Sequence, residues 1–137
     1  MYTYSAEVTK VVDGDTIEVD IDLGFGVWHC NQRVRLNGID TPESRTTNKD
    51  EKVRGELSKK KLKELVEKKN VKITTAIDPN EKFGRILGTI ETEEGINVNE
   101  WLITNNYAVA YKGQNKELVQ EQHQKNAEIL RNRGEIK

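Results

Sequence analysis

The sequence of 137 residues is poor in cysteine, proline and aromatic residues, and it contains no long apolar run. The single cysteine, Cys30, has no partner in the chain for a disulfide, which favours a reducing compartment. No stretch approaches the roughly 20 apolar residues that a membrane-spanning helix needs, and the N-terminus lacks the pattern of a signal peptide. These absences predict a cytoplasmic protein that does not associate with a membrane, with a mature fragment whose leader was removed as the alternative.

Neither positive nor negative charge dominates the sequence. The 22 Lys and Arg residues nearly balance the 23 Asp and Glu residues, which leaves a net charge of −1. The chain as a whole is therefore not attracted to nucleic acid, and any anion must be held by a local cluster of residues. The length is that of one domain, so we expect residues 1–137 to form a single domain and a monomer with no obligatory protein partner.

Alternating apolar residues predict three consecutive strands near the N-terminus. Residues 4–12 have strand composition and lead into an Asp-Gly pair that is typical of a tight hairpin. Residues 17–23 alternate between apolar and acidic side chains, and residues 27–36 continue as a third strand after a glycine-rich interruption. Short links between consecutive strands favour an antiparallel meander.

The rest of the chain alternates helices with two further strands. Good helix formers fill residues 50–69, whose lysines we interpret as a solvated face, with phosphate binding as the alternative. Strands are predicted at residues 71–77 and 85–91, with a turn at 78–80. Helices are predicted at residues 98–105, after the capping-box spacing of Asn97 and Glu100, and at 116–133. Five strands within residues 4–91 and a helix between the third and fourth predict an α+β fold, a five-stranded OB-fold β-barrel with three α-helices.

Two acidic turns carry the residues that could bind a metal. Asp15 lies in the sequence D-G-D-T, and Asp40 and Thr41 lie in R-V-R-L-N-G-I-D-T-P-E-S. Ca²⁺ prefers hard oxygen ligands and tolerates irregular geometry, so two carboxylates and the Thr41 carbonyl could form a site left open for substrate. Considered alone, D-T-P-E is equally typical of an ordinary polar turn, and D-G-D-T is more typical of a hairpin turn than of a metal site.

Three further charged residues are candidates for catalysis. Glu43 follows the proposed ligands by two positions and could orient or deprotonate a water molecule. Arg35 and Arg85 could bind phosphate, because a guanidinium offers paired donors that match two phosphate oxygens and stays charged throughout turnover. Taken singly, either arginine could be an ordinary surface charge.

Three motifs resemble, in order and spacing, those of the staphylococcal-nuclease (thermonuclease) family. They are V-V-D-G-D-T-I-E-V, R-L-N-G-I-D-T-P-E and E-K-F-G-R-I-L-G, and the likeness continues through N-V-N-E-W-L and E-Q-H. The resemblance implies a calcium-dependent phosphodiesterase that cleaves DNA and RNA by in-line attack of water, leaving a 3′-phosphate and a 5′-hydroxyl. It implies Asp15, Asp40 and the Thr41 carbonyl as metal ligands.

The resemblance also assigns roles outside the metal site. It implies Arg35 and Arg85 as the phosphate-binding arginines and Glu43 as the catalytic glutamate. Candidates for contact with substrate, single-stranded or frayed by preference, are Lys82, Phe83, Leu87 and Tyr111. Phe83 stands where the family has a tyrosine, so a phenol hydrogen bond is missing and weaker binding is expected there. Tyr111 could stack on a base, or it could lie half-buried beside the barrel.

Other residues are not assigned to the site. His29, His123 and Cys30 do not form a zinc pattern and are expected to be structural or at the surface. Trp28 and Trp101 are expected in the core. The segment G-F-G-V-W-H-C-N-Q resembles a variant found in bacteriophage and bacterial relatives, so the cytoplasm of an infected host is another possible location.

Two non-enzymatic interpretations are kept beside the nuclease. A barrel of this kind could be a binding module for nucleic acid or protein, although such a module would be expected to lack several of the charged residues. It could also be a calcium-stabilised domain without catalysis, in which case calcium would raise its thermal stability and no nucleic acid would be cleaved.

Overall fold

The computed structural model describes residues 2–76 and 86–136. Strands β1 (Thr3–Asp13), β2 (Thr16–Gly24) and β3 (Val27–Leu36) form the predicted antiparallel meander. The remaining elements, in chain order, are β4 (Ile39–Asp40), α1 (Lys49–Val66), β5 (Asn70–Ala76), β6 (Ile86–Thr92), α2 (Val98–Thr104), β7 (Val109–Ala110) and α3 (Lys116–Asn132).

Five of the strands close into a barrel in the order β1-β2-β3-β6-β5. β5 returns to pair antiparallel with β1, and β6 runs parallel to β3, with Val34 opposite Ile86 and Leu36 opposite Gly88. The predicted α+β fold, a five-stranded OB-type barrel with three helices, is therefore confirmed. The predicted turn at residues 78–80 lies outside the described residues.

The barrel core follows from the alternation of side chains. Ile17, Val19 and Ile21 on β2 are 0–3% exposed, whereas the acidic residues between them face outward. Burying each such side chain contributes roughly 1.5–3 kcal/mol, so the dry face of β2 specifies its register against both neighbours. Leu62 and Val66 of α1 are fully buried in the same core, and α1 lies against β1.

Each of the three helices begins at an asparagine cap. The side chains of Asn48, Asn97 and Asn115 accept backbone N–H groups three residues further on. Such a cap typically contributes about 1 kcal/mol, and it explains why the helices begin where they do. Within the described residues, no helix is both long enough and apolar enough to cross a membrane.

The expectation that Trp28 belongs to the core is wrong, because its side chain is 48% exposed. Trp28 pairs with Asp22 near the tip of the β2–β3 hairpin, where the described pairing of β2 with β1 ends. The hairpin thus extends past the barrel and leaves Leu23, Phe25 and Val27 exposed as well. Trp101 is half-buried and stacks on Tyr107 at 5.7 Å between ring centroids.

Candidate active site

The predicted metal and catalytic residues that the structure describes lie together where several strands end. Asp15 lies in the turn between β1 and β2. The two turn residues are Gly14 and Asp15, one position later than the predicted Asp13-Gly14 pair, because Asp13 still pairs with Thr16. Arg35 is opposite Thr16 on β3. A polar cavity of about 350 Å³ is lined by Asp13, Asp15, Thr16, Arg35, Asp40, Thr41, Pro42 and Glu43.

Arg35 lies between the two carboxylates that were predicted as metal ligands. Its Nη2 is 3.6 Å from Oδ2 of Asp15 and 3.8 Å from Oδ1 of Asp40. These separations are longer than an ordinary hydrogen bond, so the guanidinium is held electrostatically and keeps donor capacity for another acceptor. A carboxylate from the β1–β2 turn and another from β4 therefore lie near the same guanidinium of β3.

The carboxylates in this cavity repel one another. Burial raises the pKa of Asp15, Arg35 and a hydrogen bond from Thr16 oppose that rise, and the nearby Asp40 adds to it. Burial also raises the pKa of Glu43, with further contributions from Asp15 and other carboxylates. The cavity therefore holds excess negative charge, which a bound cation would relieve.

A Ca²⁺ ion fits this donor set as a partly hydrated ion. Asp15 and Asp40 offer hard carboxylate oxygens, and Thr41, buried and next in the chain, lines the same cavity. Among the described residues there is no cluster of three or more His, Cys, Asp or Glu side chains that could enclose a metal. Backbone carbonyl, water or substrate would have to supply the remaining ligands.

Gly55 of α1 allows the helix to pack closely against the loop that carries Glu43. A Cβ atom added to Gly55 would lie 2.4 Å from the Glu43 carbonyl oxygen and 2.6 Å from the Ser44 nitrogen. Ser44 Oγ in turn donates to Asp13 Oδ1 at 2.5 Å. A glycine inside a helix costs about 1 kcal/mol relative to alanine, and the close approach of this loop accounts for it here.

His123, which the sequence interpretation left out of the site, contacts one of its central residues. The imidazole is 3% exposed, and its Nε2 lies 2.8 Å from Oδ2 of Asp40. A signal for its burial is present in the sequence, because Val119, His123 and Ala127 recur at the four-residue spacing of one helix face. The identity of its partner could not be found in this way.

A second cavity of about 380 Å³ continues from the first toward α3. It is lined by Arg35, Asp40, Thr41, Glu43, Glu51, Tyr111, Gln114, Lys116, Val119, Gln120 and His123. Tyr111 is 40% exposed here, and its backbone N–H donates to the Gly38 carbonyl at 2.8 Å. Its ring is therefore accessible from the cavity that contains Arg35.

The other predicted substrate-binding residues are only partly described. Leu87 lies on β6, half-buried and opposite Arg35 in the parallel pair of strands. Lys82, Phe83 and Arg85 lie outside the described residues.

The fold and the cavity together define an OB-type barrel with an acidic, arginine-containing cleft at its strand ends. The family model described as staphylococcal nuclease homologue matches residues 33–133, and the chain belongs to this family. The match begins after Asp15, so the contribution of that residue to the cleft rests on the geometry described above.

Named relatives agree with this assignment. An uncharacterized endonuclease of Escherichia coli is 35% identical over 112 residues, which cover 82% of this chain and 64% of that protein. Endonuclease YhcR of Bacillus subtilis is 34% identical over 79% of this chain and 9% of its own length. Thermonuclease of Staphylococcus intermedius is 32% identical over 61% of this chain and 46% of its own. The chain thus spans less than two thirds of the length of each of these relatives.

Proposed function

We propose that the protein is a nuclease that hydrolyses phosphodiester bonds of DNA and RNA with the help of Ca²⁺. The observation that carries this proposal is the position of Arg35 between Asp15 and Asp40, in one cavity with Glu43. A phosphate-binding cation, a pair of hard-oxygen ligands and a candidate base are what in-line attack of water on phosphorus requires. The names of the endonuclease and thermonuclease relatives support the same activity.

Asp15, Asp40 and the Thr41 carbonyl would hold the metal. A Ca²⁺ ion bound there would supply positive charge next to the phosphate oxygen on which negative charge develops. Without a bound cation, the carboxylates of Asp15 and Asp40 would repel the phosphate of a substrate. The proposed activity therefore requires a metal ion that offsets the excess negative charge of the cavity.

Arg35 would bind the scissile phosphate through two parallel N–H donors. Fixed donors of this kind lower the barrier when they contact oxygens whose charge grows in the transition state. Arg85 is proposed as the second arginine on the basis of its place in the G-R motif.

Glu43 is proposed to orient the attacking water and to accept its proton. The raised pKa of its carboxyl favours this role, because a carboxylate that holds a proton more tightly is a stronger base. The close packing of Gly55 against the Glu43 backbone would keep the carboxylate in place during turnover.

Substrate contacts are proposed for Tyr111, Leu87, Lys82 and Phe83. A base could stack on the accessible Tyr111 ring, which favours single-stranded or frayed substrates, whose bases are unpaired. We further propose that the 137 residues act as a single nuclease-like domain and as a monomer in the cytoplasm, where Cys30 would remain reduced.

The proposal is tested by incubating single-stranded DNA with the protein in calcium, in EDTA, and in calcium with the Arg35→Ala variant. We expect cleavage only by the wild type in calcium, with a loss of at least 10²-fold in the variant, since one transition-state donor is worth roughly 10²–10³ in rate. End-labelled products should carry a 3′-phosphate. DNA that is retarded on a gel but left intact would support the non-catalytic binding module instead.

A further inference from the structure

The side chain of Asp40 is contacted on both of its oxygens. Oδ1 faces Arg35 in the cavity, and Oδ2 faces His123 of α3, a residue 83 positions further along the chain. A hydrogen bond from His123 to an ionised Asp40, which can only accept, uses the tautomer in which Nε2 carries the hydrogen and donates to Oδ2.

The backbone around Asp40 does not by itself determine where the carboxylate points. β4 consists of two residues, which pair with β7 through Ile39 opposite Ala110 and Asp40 opposite Val109. This ladder fixes the main chain, whereas rotation about the side-chain bonds is left to the groups that contact the carboxylate. The shorter of the two contacts is the one to His123, at 2.8 Å against 3.8 Å for Arg35.

His123 is itself held in place from two sides. Its ring is buried on the same face of α3 as Val119 and Ala127, and its backbone carbonyl accepts a hydrogen bond from Nη1 of Arg54 at 3.3 Å. Arg54 is a buried residue of α1, and its Nε donates to the Asp50 carbonyl at 3.3 Å. The two helices thereby fix the position of the imidazole relative to the cavity.

We propose that His123 is a positioning residue for the metal site, which holds Oδ2 of Asp40 toward α3 and leaves Oδ1 directed into the cavity. The inference rests on the proposed binding of Ca²⁺ by Asp15 and Asp40. A fixed carboxylate binds a cation more tightly than a freely rotating one, because less side-chain freedom is lost on binding. Hydrogen-bond partners of metal-binding groups typically contribute 10–100-fold in affinity.

The test is the calcium affinity of purified variants, measured by titration calorimetry in the absence of nucleic acid. His123→Leu should bind Ca²⁺ at least about 10-fold more weakly than the wild type. His123→Gln, whose amide can donate a hydrogen bond to Asp40, should recover most of the affinity. The matched control is Ala127→Gly, a truncation of a buried residue one turn later on α3 that lines neither cavity and has no hydrogen-bonding group in its side chain. It should lower Tm and leave the calcium affinity close to that of the wild type.

Four results would overturn the proposal. Three concern the variants: wild-type affinity in His123→Leu, an equal loss of affinity in Ala127→Gly, and a His123→Gln variant as weak as His123→Leu. The fourth is failure of the wild type to bind Ca²⁺. A wild type that binds Ca²⁺ but cleaves no DNA would contradict the proposed nuclease activity and leave the role of His123 standing, because calorimetry does not depend on turnover.

Discussion

Replacing Gly55 with alanine should destabilise the protein even though alanine is the better helix former. The added Cβ would lie 2.4 Å from the Glu43 carbonyl oxygen and 2.5 Å from its carbon, and backbone atoms cannot rotate away as the end of a flexible side chain can. Overpacking costs up to about 3 kcal/mol, and the gain in helix propensity offsets about 1 kcal/mol of that. A net loss of about 2 kcal/mol corresponds to a fall in Tm of roughly 7 °C for a chain of this length.

The same variant should lose activity beyond its loss of stability. The loop that must move carries Glu43, and a displacement of about 1 Å of a catalytic group can cost on the order of 10² in rate. Thermal unfolding and initial rates on single-stranded DNA, measured well below Tm, separate the two effects. The control is Glu56→Ala, an exposed neighbour on the same helix, for which neither quantity should change appreciably.

A Gly55→Ala protein that is more stable than the wild type would refute the reasoning. Helix propensity alone predicts a rise in Tm of about 3 °C, so the two accounts differ in sign. Unchanged turnover combined with a lower Tm would show that α1 moves to accommodate the added Cβ and that the Glu43 loop keeps its position.

Three further predictions concern charge and hydrogen bonding. Glu43→Gln should lose most cleavage activity and keep its calcium affinity in calorimetry, and loss of that affinity would make Glu43 a metal ligand. Asp15→Asn should raise the Tm of the calcium-free protein at pH 7. Because the pKa of Asp15 is raised on folding, its carboxylate destabilises the fold above that raised pKa and ceases to do so as the pH falls toward the ordinary value. A lower Tm at pH 7 would contradict this sign. Tyr107→Phe should lower the stability by about 1 kcal/mol, because the phenol, whose pKa is raised to about 12, donates to Glu135 at 2.5 Å. An unchanged denaturation midpoint would show that the bond contributes nothing.

The barrel could be predicted because its strands are specified locally. The alternation of Ile17, Val19 and Ile21 with acidic residues determines both the strand and the face that it buries. The cap at Asn97 is equally local, since its side chain reaches a backbone group only three residues away. In these segments local preference and tertiary packing agree, so no knowledge of distant contacts is needed.

Trp28 was misplaced because hydrophobicity alone does not determine burial. Its strand continues beyond the last residue of β2 that pairs with β1, and no sequence pattern marks where the neighbouring strand stops. The small sheet of β4 and β7 was missed for a related reason. Two residues are too few to show a period, and their pairing depends on a contact between segments that are about 70 residues apart.

The residues of the candidate site show the same difference between local sequence signals and contacts that only the tertiary fold creates. Asp15 and Arg35 could be predicted as neighbours, since Asp15 immediately precedes β2 and the hairpin places Arg35 of β3 opposite the next residue, Thr16. His123 could not, because it lies on α3, 83 positions after Asp40, and only the tertiary fold brings the two side chains together. The groups that bind and react are thus encoded in short motifs, whereas the group that orients one of them depends on the completed fold.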